Sequence, residues 1–437
     1  MICTIMSKEV TICWFRRNLR IEDNTSFYHA LKSGFPVIPF FIFDKEILST
    51  LSTIEDRRVD FIYRTLKHLN EKFQNHGSSF FIVHDKPLDA FKEICEKFSV
   101  KEVHTDHDYE PYAKERDGAV RKFLNNKGIK FFTYKDQVIF EREEVLKDDG
   151  NPYHVYTPYS KKWKEKFSKA DVTNRYSVRN LSHLFQKDNF RFPTLEAIGF
   201  RSTDIRFPEL QISDAALKKY DQVRNFPALE ATSHVSLYLR FGTISIRHLV
   251  QLARENNDIY LNELIWREFF MMILDHYPRV VSENFNKKYD GIRWRNNENE
   301  FRKWCNGETG FPLVDAGMRQ LNQTGYMHNR VRLVVSGFLT KDLLIDWRWG
   351  EAYFAEKLLD YELSSNNGNW QWAAGTGCDA APYFRIFNPD EQAKKFDPES
   401  IYIQKWIPDL NDYPPPMVDH GMARKRALEV YKKALAN

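Results

Sequence analysis

NNGNWQWAAGTGCDAAPYFRIFNP, residues 366–389, sets Trp370 and Trp372 one residue apart among glycines, alanines and an arginine. Two large rings leaving one short segment point in different directions, and Gly368, Gly375 and Gly377 allow that backbone to bend or to approach a large planar ligand. A lone WxW equally fits an aromatic core with tight turns. The surroundings favour a site: aromatic residues make up 15% of the chain, and eight of its ten tryptophans lie at or after Trp266.

Outward from this stretch the periodicity separates two architectures. Between residues 9 and 135 short apolar runs, EVTICWF, FPVIPFFIF, SSFFIVH, KEVHTD and IKFFTY, alternate with amphipathic segments such as RRVDFIYRTLKHLNEKF. That rhythm predicts a parallel sheet wrapped by helices, a Rossmann-like α/β domain over 1–135. The first run leads into WFRRNLR, so the glycine-rich dinucleotide turn is absent. From 136 to 211 the period is lost and the chain turns basic around KKWKEKFSKADVTNRYSVRN, a connector whose charge suits a solvated face. Beyond 212 the apolar spacing is helical through LNELIWREFFMMILDHY, VRLVVSGFLTKDLLIDW and AYFAEKLLDYEL, which predicts a larger all-α domain to 437.

The 437 residues are too many for one ordinary core. A net charge of +4 and a pI near 8.5 permit a nucleic-acid partner without requiring one. Five scattered cysteines, Cys3, Cys13, Cys95, Cys305 and Cys378, show no metal-binding spacing. They fit a reducing compartment, and with no signal-like core in MICTIMSKEV and no membrane-length apolar run, a cytoplasmic protein without a metal is expected.

The 366–389 stretch, TICWFRRNLRIEDN at 11–24, NELIWREFF at 262–270 and GYMHNR at 325–330 together resemble the photolyase and cryptochrome family. The likeness runs nearly the whole chain and is greatest to the class I cyclobutane pyrimidine dimer photolyases. It implies one FAD, active as the reduced anion, and UV-damaged DNA, single or double stranded, recognised by lesion and not by sequence. A monomer is expected.

In YDQVRNFPALEATSHVSLYLRFG, residues 220–242, Thr232, Ser233 and Ser236 form a polar cluster before a helical stretch. Such hydroxyls hold a phosphate or merely cap the helix, and the residues alone leave both open. The resemblance implies that Thr232, Ser233, His234, Val235 and Ser236, the family's TSxLS, bind the FAD diphosphate with Tyr220, His234 standing where arginine is usual. It further implies that Arg267, Arg332, Asp360, Tyr361 and Glu362 surround the isoalloxazine and that Asn366 faces its N5, with Glu362 in an aspartate position. For the lesion it implies aromatic walls from Trp266 and Trp372, hydrogen bonds from Glu263 and Asn329, and packing by Leu333 where methionine is common. Trp370, Trp347 and Trp294 match a chain that carries electrons to oxidised flavin, with Asn369 replacing a glycine, while Trp304 and Trp349 match no role. Arg224, Arg330 and Arg385 match arginines that grip the phosphates beside the lesion.

Asp108 and Glu110 resemble contacts of a second, antenna chromophore of folate or deazaflavin type. Asn329 after His328 fits cyclobutane dimers better than the histidine-rich (6-4) photolyases. A cryptochrome photoreceptor with FAD and no repair is the alternative, disfavoured by Glu263, Trp266, Asn329 and Trp372 together and by the short stretch after Pro416. An FAD-free nucleic-acid-binding scaffold is the plainest remaining class.

Overall fold

The computed structural model describes residues 8–173, 176, 181–187, 190–411 and 413–436. Most of the MICTIMSKEV start and part of the basic stretch around 174–180 lie outside the described residues. The chain divides into two compact units. The first takes residues 1–141, 167–209 and 235–252; the second takes 142–166, 210–234 and 253–437. Residues 136–211 therefore contribute to both.

In the first unit each apolar run forms a strand: β1 (Glu9–Phe15), β2 (Val37–Asp44), β3 (Phe81–Asp85), β4 (Ser99–Asp106) and β5 (Lys130–Tyr134). All pairs are parallel and the order is β3-β2-β1-β4-β5. β2 is buried at every position, as a strand covered on both faces must be. Asp56 starts the helix Arg57–Gln74 by accepting the N–H groups of Arg58 and Val59, and Val59, Phe61, Leu66, Leu69 and Phe73 form its buried stripe.

The order reverses between β1 and β4, and the crevice beyond their carboxyl ends is where sheets of this type take ligands. Here it receives Arg17, Asp108 and Glu110: Arg17 lies 3.4 Å from Asp108 and 3.2 Å from Glu110, and Arg240 lies 3.5 Å from Glu110. Residues 235–252 are tied to the sheet through Arg247, 3.0 Å from Asp23 and 2.8 Å from Asp136, which also pairs with Arg20 at 2.6 Å. Burial pushes the Asp136 carboxyl up, but Arg20 and Arg247 outweigh it and hold it at about 2. Gly242 allows this close seating, since at φ +65° a Cβ there would fall 1.8 Å from the Arg17 carbonyl oxygen.

The second unit is helical. Its longest helix, Asp258–His276, begins at Asn257, whose side chain accepts from Ile259 and Tyr260, and buries eleven residues including Leu264, Phe269 and Met271. A core of Trp304, Phe311, Val331, Val335, Leu339, Trp347 and Trp370 joins the helices Glu298–Asn306, Pro312–Thr324, Asn329–Gly337, Trp347–Lys357 and Leu363–Ala374. No helix among the described residues is long and apolar enough to cross a membrane.

Candidate active site

The first nine residues of the opening stretch, 366–374, are helix. Leu363–Ala374 begins after Glu362 and stops at Gly375, whose φ of +80° ends it. Helical geometry puts Asn366 and Trp370, four residues apart, on one face, and turns Trp372 away from Trp370. Trp370 is buried and Trp372 half-buried. Gly368 serves packing and not ligand approach: a Cβ there would lie 2.2 Å from the Phe270 ring. That corrects the expectation that Gly368 lets the backbone approach a planar ligand.

Trp370 and Asn366 face a cleft that also receives Asn329, Arg332, Leu333, Asp360, Tyr361 and Glu362. With Asn369, nine residues singled out from the sequence thus share one cavity. Arg332 and Asp360 form a pair at 2.9 Å, with the carboxylate nearly buried and the Arg332 Nε donating to the Met327 carbonyl at 2.8 Å. Arg267 reaches Glu362 at 3.2 Å, and Ser365 donates to the other Glu362 oxygen at 3.0 Å, so the extra methylene of Glu362 still yields an ion pair.

The Asn366 amide donates to the Glu351 carbonyl at 3.0 Å and to its carboxyl at 2.8 Å, which leaves the Asn366 oxygen as its acceptor. Burial pushes the Glu351 carboxyl up, partly countered by that hydrogen bond. Glu351 carried no signal in the sequence, where it reads as a surface acid on an amphipathic helix.

A tyrosine cluster stands next to this cavity. Arg332 lies over the Tyr326 ring at 5.6 Å; His234 meets the same ring edge-on at 5.0 Å, and Thr232 reaches its hydroxyl at 3.4 Å. The Tyr260 hydroxyl donates to Ser233 at 2.9 Å, and Tyr220 packs against Tyr260 at 4.9 Å. His234 has φ +52°, a turn that precedes the helix Val235–Arg240. Val235 and Ser236 belong to that helix, which clusters with the first unit.

On the helix Asp258–His276, Glu263, Trp266 and Arg267 share a face at spacings of three and four. Trp266 stacks on Tyr156 with centroids 3.7 Å apart and planes 6° from parallel. Tyr156 is fixed in turn, its hydroxyl donating to the Asn262 carbonyl at 2.9 Å and its N–H to Asp379 at 3.0 Å. Sequence reading missed Tyr156 because it lies in the stretch without period. Glu263 pairs with Arg224 at 2.6 Å.

Arg224 and Arg385 are near enough to Arg330 to lower its affinity for a proton, after burial, the larger cause. The Arg330 guanidinium donates to Asn225 at 2.6 Å and lies over Phe396 at 4.2 Å. Arg385 is exposed. Of the three tryptophans matched to an electron chain, Trp370 and Trp347 are buried in one core and Trp294 is half-buried against it.

His328 caps the helix Asn329–Gly337, its Nδ1 accepting from the Arg330 N–H at 3.2 Å. Burial, then Arg332, Arg330, His234 and Arg224, push its imidazole down to about 4. The folded protein holds it neutral, so its stabilising contribution is complete above the unfolded value of about 6.5 and is lost as pH falls toward 4. Against His328→Asn, which keeps a capping side chain, the native chain should lose stability by up to about 1.4 kcal/mol per pH unit across that window in urea titrations. Parallel pH profiles would mean the imidazole is solvated.

Comparison with known proteins gives a consistent picture. The family profile described as FAD binding domain of DNA photolyase matches residues 260–412, and that of DNA photolyase matches residues 11–176. The chain is 34% identical to the deoxyribodipyrimidine photo-lyase of Halobacterium salinarum over 96% of this chain and 98% of that one. Its fold matches a bacterial class III photolyase from Agrobacterium tumefaciens with a TM-score of 0.85 at 30% identity, covering 100% of both chains. It matches an archaeal photolyase from Sulfolobus tokodaii, described with two FAD molecules, with a TM-score of 0.82 at 31% identity, covering 97% of this chain and 100% of that one. The cleft suits a flavin on its own terms: two arginine–carboxylate pairs and two amides offer donors and acceptors to a polar ring edge, beside the indole of Trp370.

Proposed function

Because the chain belongs to the DNA photolyase family, we infer that it is a light-driven DNA repair enzyme that binds FAD and splits cyclobutane pyrimidine dimers in UV-damaged DNA. The observation that carries this reading is the single cleft that gathers Asn329, Arg332, Leu333, Asp360, Asn366 and Trp370. When bound, reduced FAD would supply, under light, the one electron that opens the cyclobutane ring and would take it back afterwards.

The residues of this chain bind and orient. Arg332 with Asp360 and Arg267 with Glu362 meet the polar edge of the flavin, each charge keeping its partner so that none is buried alone. Asn366, its amide tied to Glu351, presents an uncharged acceptor that neither repels an added electron nor imposes a proton. Thr232, Ser233, His234, Val235, Ser236 and Tyr220 hold the diphosphate. Trp266, stacked on Tyr156, serves as one wall for a flipped-out dimer, and Trp372 supplies the other; stacking on such rings is worth about 1 to 3 kcal/mol per base. Leu333 would pack on the lesion, and Asn329 would hydrogen-bond lesion and flavin, both lining the cleft.

Arg224, Arg330 and Arg385 take the flanking phosphates, which makes binding salt-dependent and indifferent to sequence. Trp294, Trp347 and Trp370 would supply electrons to bound oxidised flavin. The protein acts as a monomer, and Asp108 and Glu110, both already paired with Arg17, border the place of any second chromophore.

Glu263 holds Arg224 and hydrogen-bonds the dimer. Glu263→Gln should lower repair at saturating dimer on the order of tenfold, the weight of one charge-assisted hydrogen bond of about 1.5 kcal/mol, with FAD content unchanged. Assay of oligonucleotides carrying either a cyclobutane dimer or a (6-4) product tests the lesion assignment, and repair of the (6-4) product alone would overturn it.

A further inference from the structure

The helix His420–Ala436 carries five lysine and arginine residues and one acid, Glu429, so this single element accounts for the chain's whole net charge of +4. On its buried side Tyr431 and Ala434 pack with Ile292 and Leu344, and Trp294 lies against the same cluster. Lys432 and Lys433, between those two buried positions, turn outward and are exposed. Across the contact runs KKYDGIRWR, residues 287–295, with four basic side chains and one acid, Asp290. Trp294 meets Tyr431 edge-on with centroids 6.1 Å apart, and a Cβ on Gly291 would lie 3.6 Å from the Ala434 carbonyl oxygen. Arg295 is near enough to Arg426 of the helix to lower its affinity for a proton, after burial, the larger cause. The two basic segments thus form one surface, with the half-buried Trp294 between them. Arg295 pairs with Glu300 at 2.8 Å, whereas Lys288, Arg293, Lys432 and Lys433 are exposed and make no ion pair among the described residues.

Resting on the reading of Trp294 as the outer end of the electron chain, we propose that this surface docks an acidic protein that carries one electron and returns it to Trp294. Light draws an electron from Trp294 inward through Trp347 and Trp370. The reduced centre of the carrier then gives one electron to the Trp294 radical and leaves one electron more oxidised; an indole proton lost to water in the meantime is taken back from water. Transfer between centres falls off steeply with separation, and Trp347 and Trp370 are buried, so of the three indoles Trp294 is the one a partner can approach. Positive charge gathered around that entry point raises the encounter rate of an acidic partner by about 10- to 1,000-fold. Encounters between redox proteins bury less than about 1,200 Å², so one helix and one loop suffice. The charge alone would also attract a nucleic acid; the indole between the two basic segments is what favours a redox partner.

Flash photolysis of the FAD-loaded full chain tests the surface, with two reduced haem proteins as one-electron donors, the acidic cytochrome b5 and the lysine-rich cytochrome c. Oxidation of the haem counts the electrons delivered. The cytochrome b5 rate should be highest at low salt and fall at least tenfold by about 1 M, where charges are screened beyond about 3 Å. Lys432→Glu with Lys433→Glu should cut that rate on the order of tenfold and raise the cytochrome c rate, since the sign of the surface is reversed. Arg293→Glu, on the other segment, should act in the same direction. Photoreduction with dithiothreitol, a neutral donor, should stay native in these variants, so its loss would overturn the proposal by assigning the exposed side chains a part in the fold. A cytochrome b5 rate unmoved by both charge reversals would overturn it as well, and a fall in affinity for undamaged duplex DNA in the same variants would then assign the surface to nucleic acid. Undiminished delivery from cytochrome b5 in Trp294→Phe would remove the premise, a result separate from failure of the docking surface.

Discussion

Arg332→Ala is expected to yield a chain that purifies without its flavin. The Arg332 guanidinium lies 2.9 Å from an Asp360 carboxylate that is almost inaccessible to water, and it braces the turn before its own helix through the Met327 carbonyl. Removing it leaves that carboxylate buried without a counter-charge, a loss of about 3 to 5 kcal/mol. The same substitution deletes a donor from the cleft that Asn329, Asn366 and Trp370 line. FAD per chain after gel filtration, read from the flavin band near about 450 nm, should fall at least tenfold. Arg332→Ala with Asp360→Asn should recover part of the thermal stability and none of the flavin, since the neutral amide removes the stranded charge without restoring the donor. Full flavin content in Arg332→Ala would show that the pair braces the fold and does not hold the cofactor.

Gly350→Ala should uncouple light-driven reduction from repair. Gly350 sits on the helix Trp347–Lys357 where the Trp370 ring rests against it: a Cβ there would lie 2.1 Å from Trp370 Cη2, 2.4 Å from Cζ3 and 2.6 Å from Leu339 Cδ2. No rotamer change in a methyl group relieves such contacts, so the indole must shift, at a cost of about 1 to 3 kcal/mol in stability. Shifting it changes its distance from Trp304, from Trp347 and from the cleft together. The rate of photoreduction per bound flavin should drop on the order of tenfold, because transfer between rings is far more sensitive to separation than binding is. Protein reduced chemically in the dark should repair at close to the native rate. Unchanged photoreduction would mean that Trp370 is not the point of electron entry.

Much of the fold was legible because its signals are local. β1 and β2 are buried along nearly their whole length and so read as continuous apolar runs, and the amphipathic RRVDFIYRTLKHLNEKF became the helix Arg57–Gln74. In the site, residues carried by short motifs converged: Asn329, Arg332 and Leu333 lie within one turn of helix, as do Glu263, Trp266 and Arg267, so each motif is close to a geometry in itself. What escaped depends on partners distant in sequence. Tyr156 supports Trp266 from 110 positions away, out of a stretch with no period. Glu351 orients Asn366 from another helix, and Arg224 reaches Glu263 from 39 positions away.

Gly368 shows the same limit in reverse. A glycine beside two tryptophans suggests a ligand pressed against the backbone, but the space is filled by Phe270. Trp304 is the clearest case, since nothing in its sequence context distinguishes a packing indole from one in contact with Trp370.

The most direct test of the whole account is repair of an oligonucleotide carrying one thymine cyclobutane dimer by the reduced, FAD-loaded protein, in light and in darkness, followed through recovery of pyrimidine absorbance. Recovery that requires light, proceeds over many turnovers per chain and stops when FAD is removed is the predicted result. A flavin that reduces under light while the dimer persists would contradict the assignment and point to a photoreceptor built on the same fold.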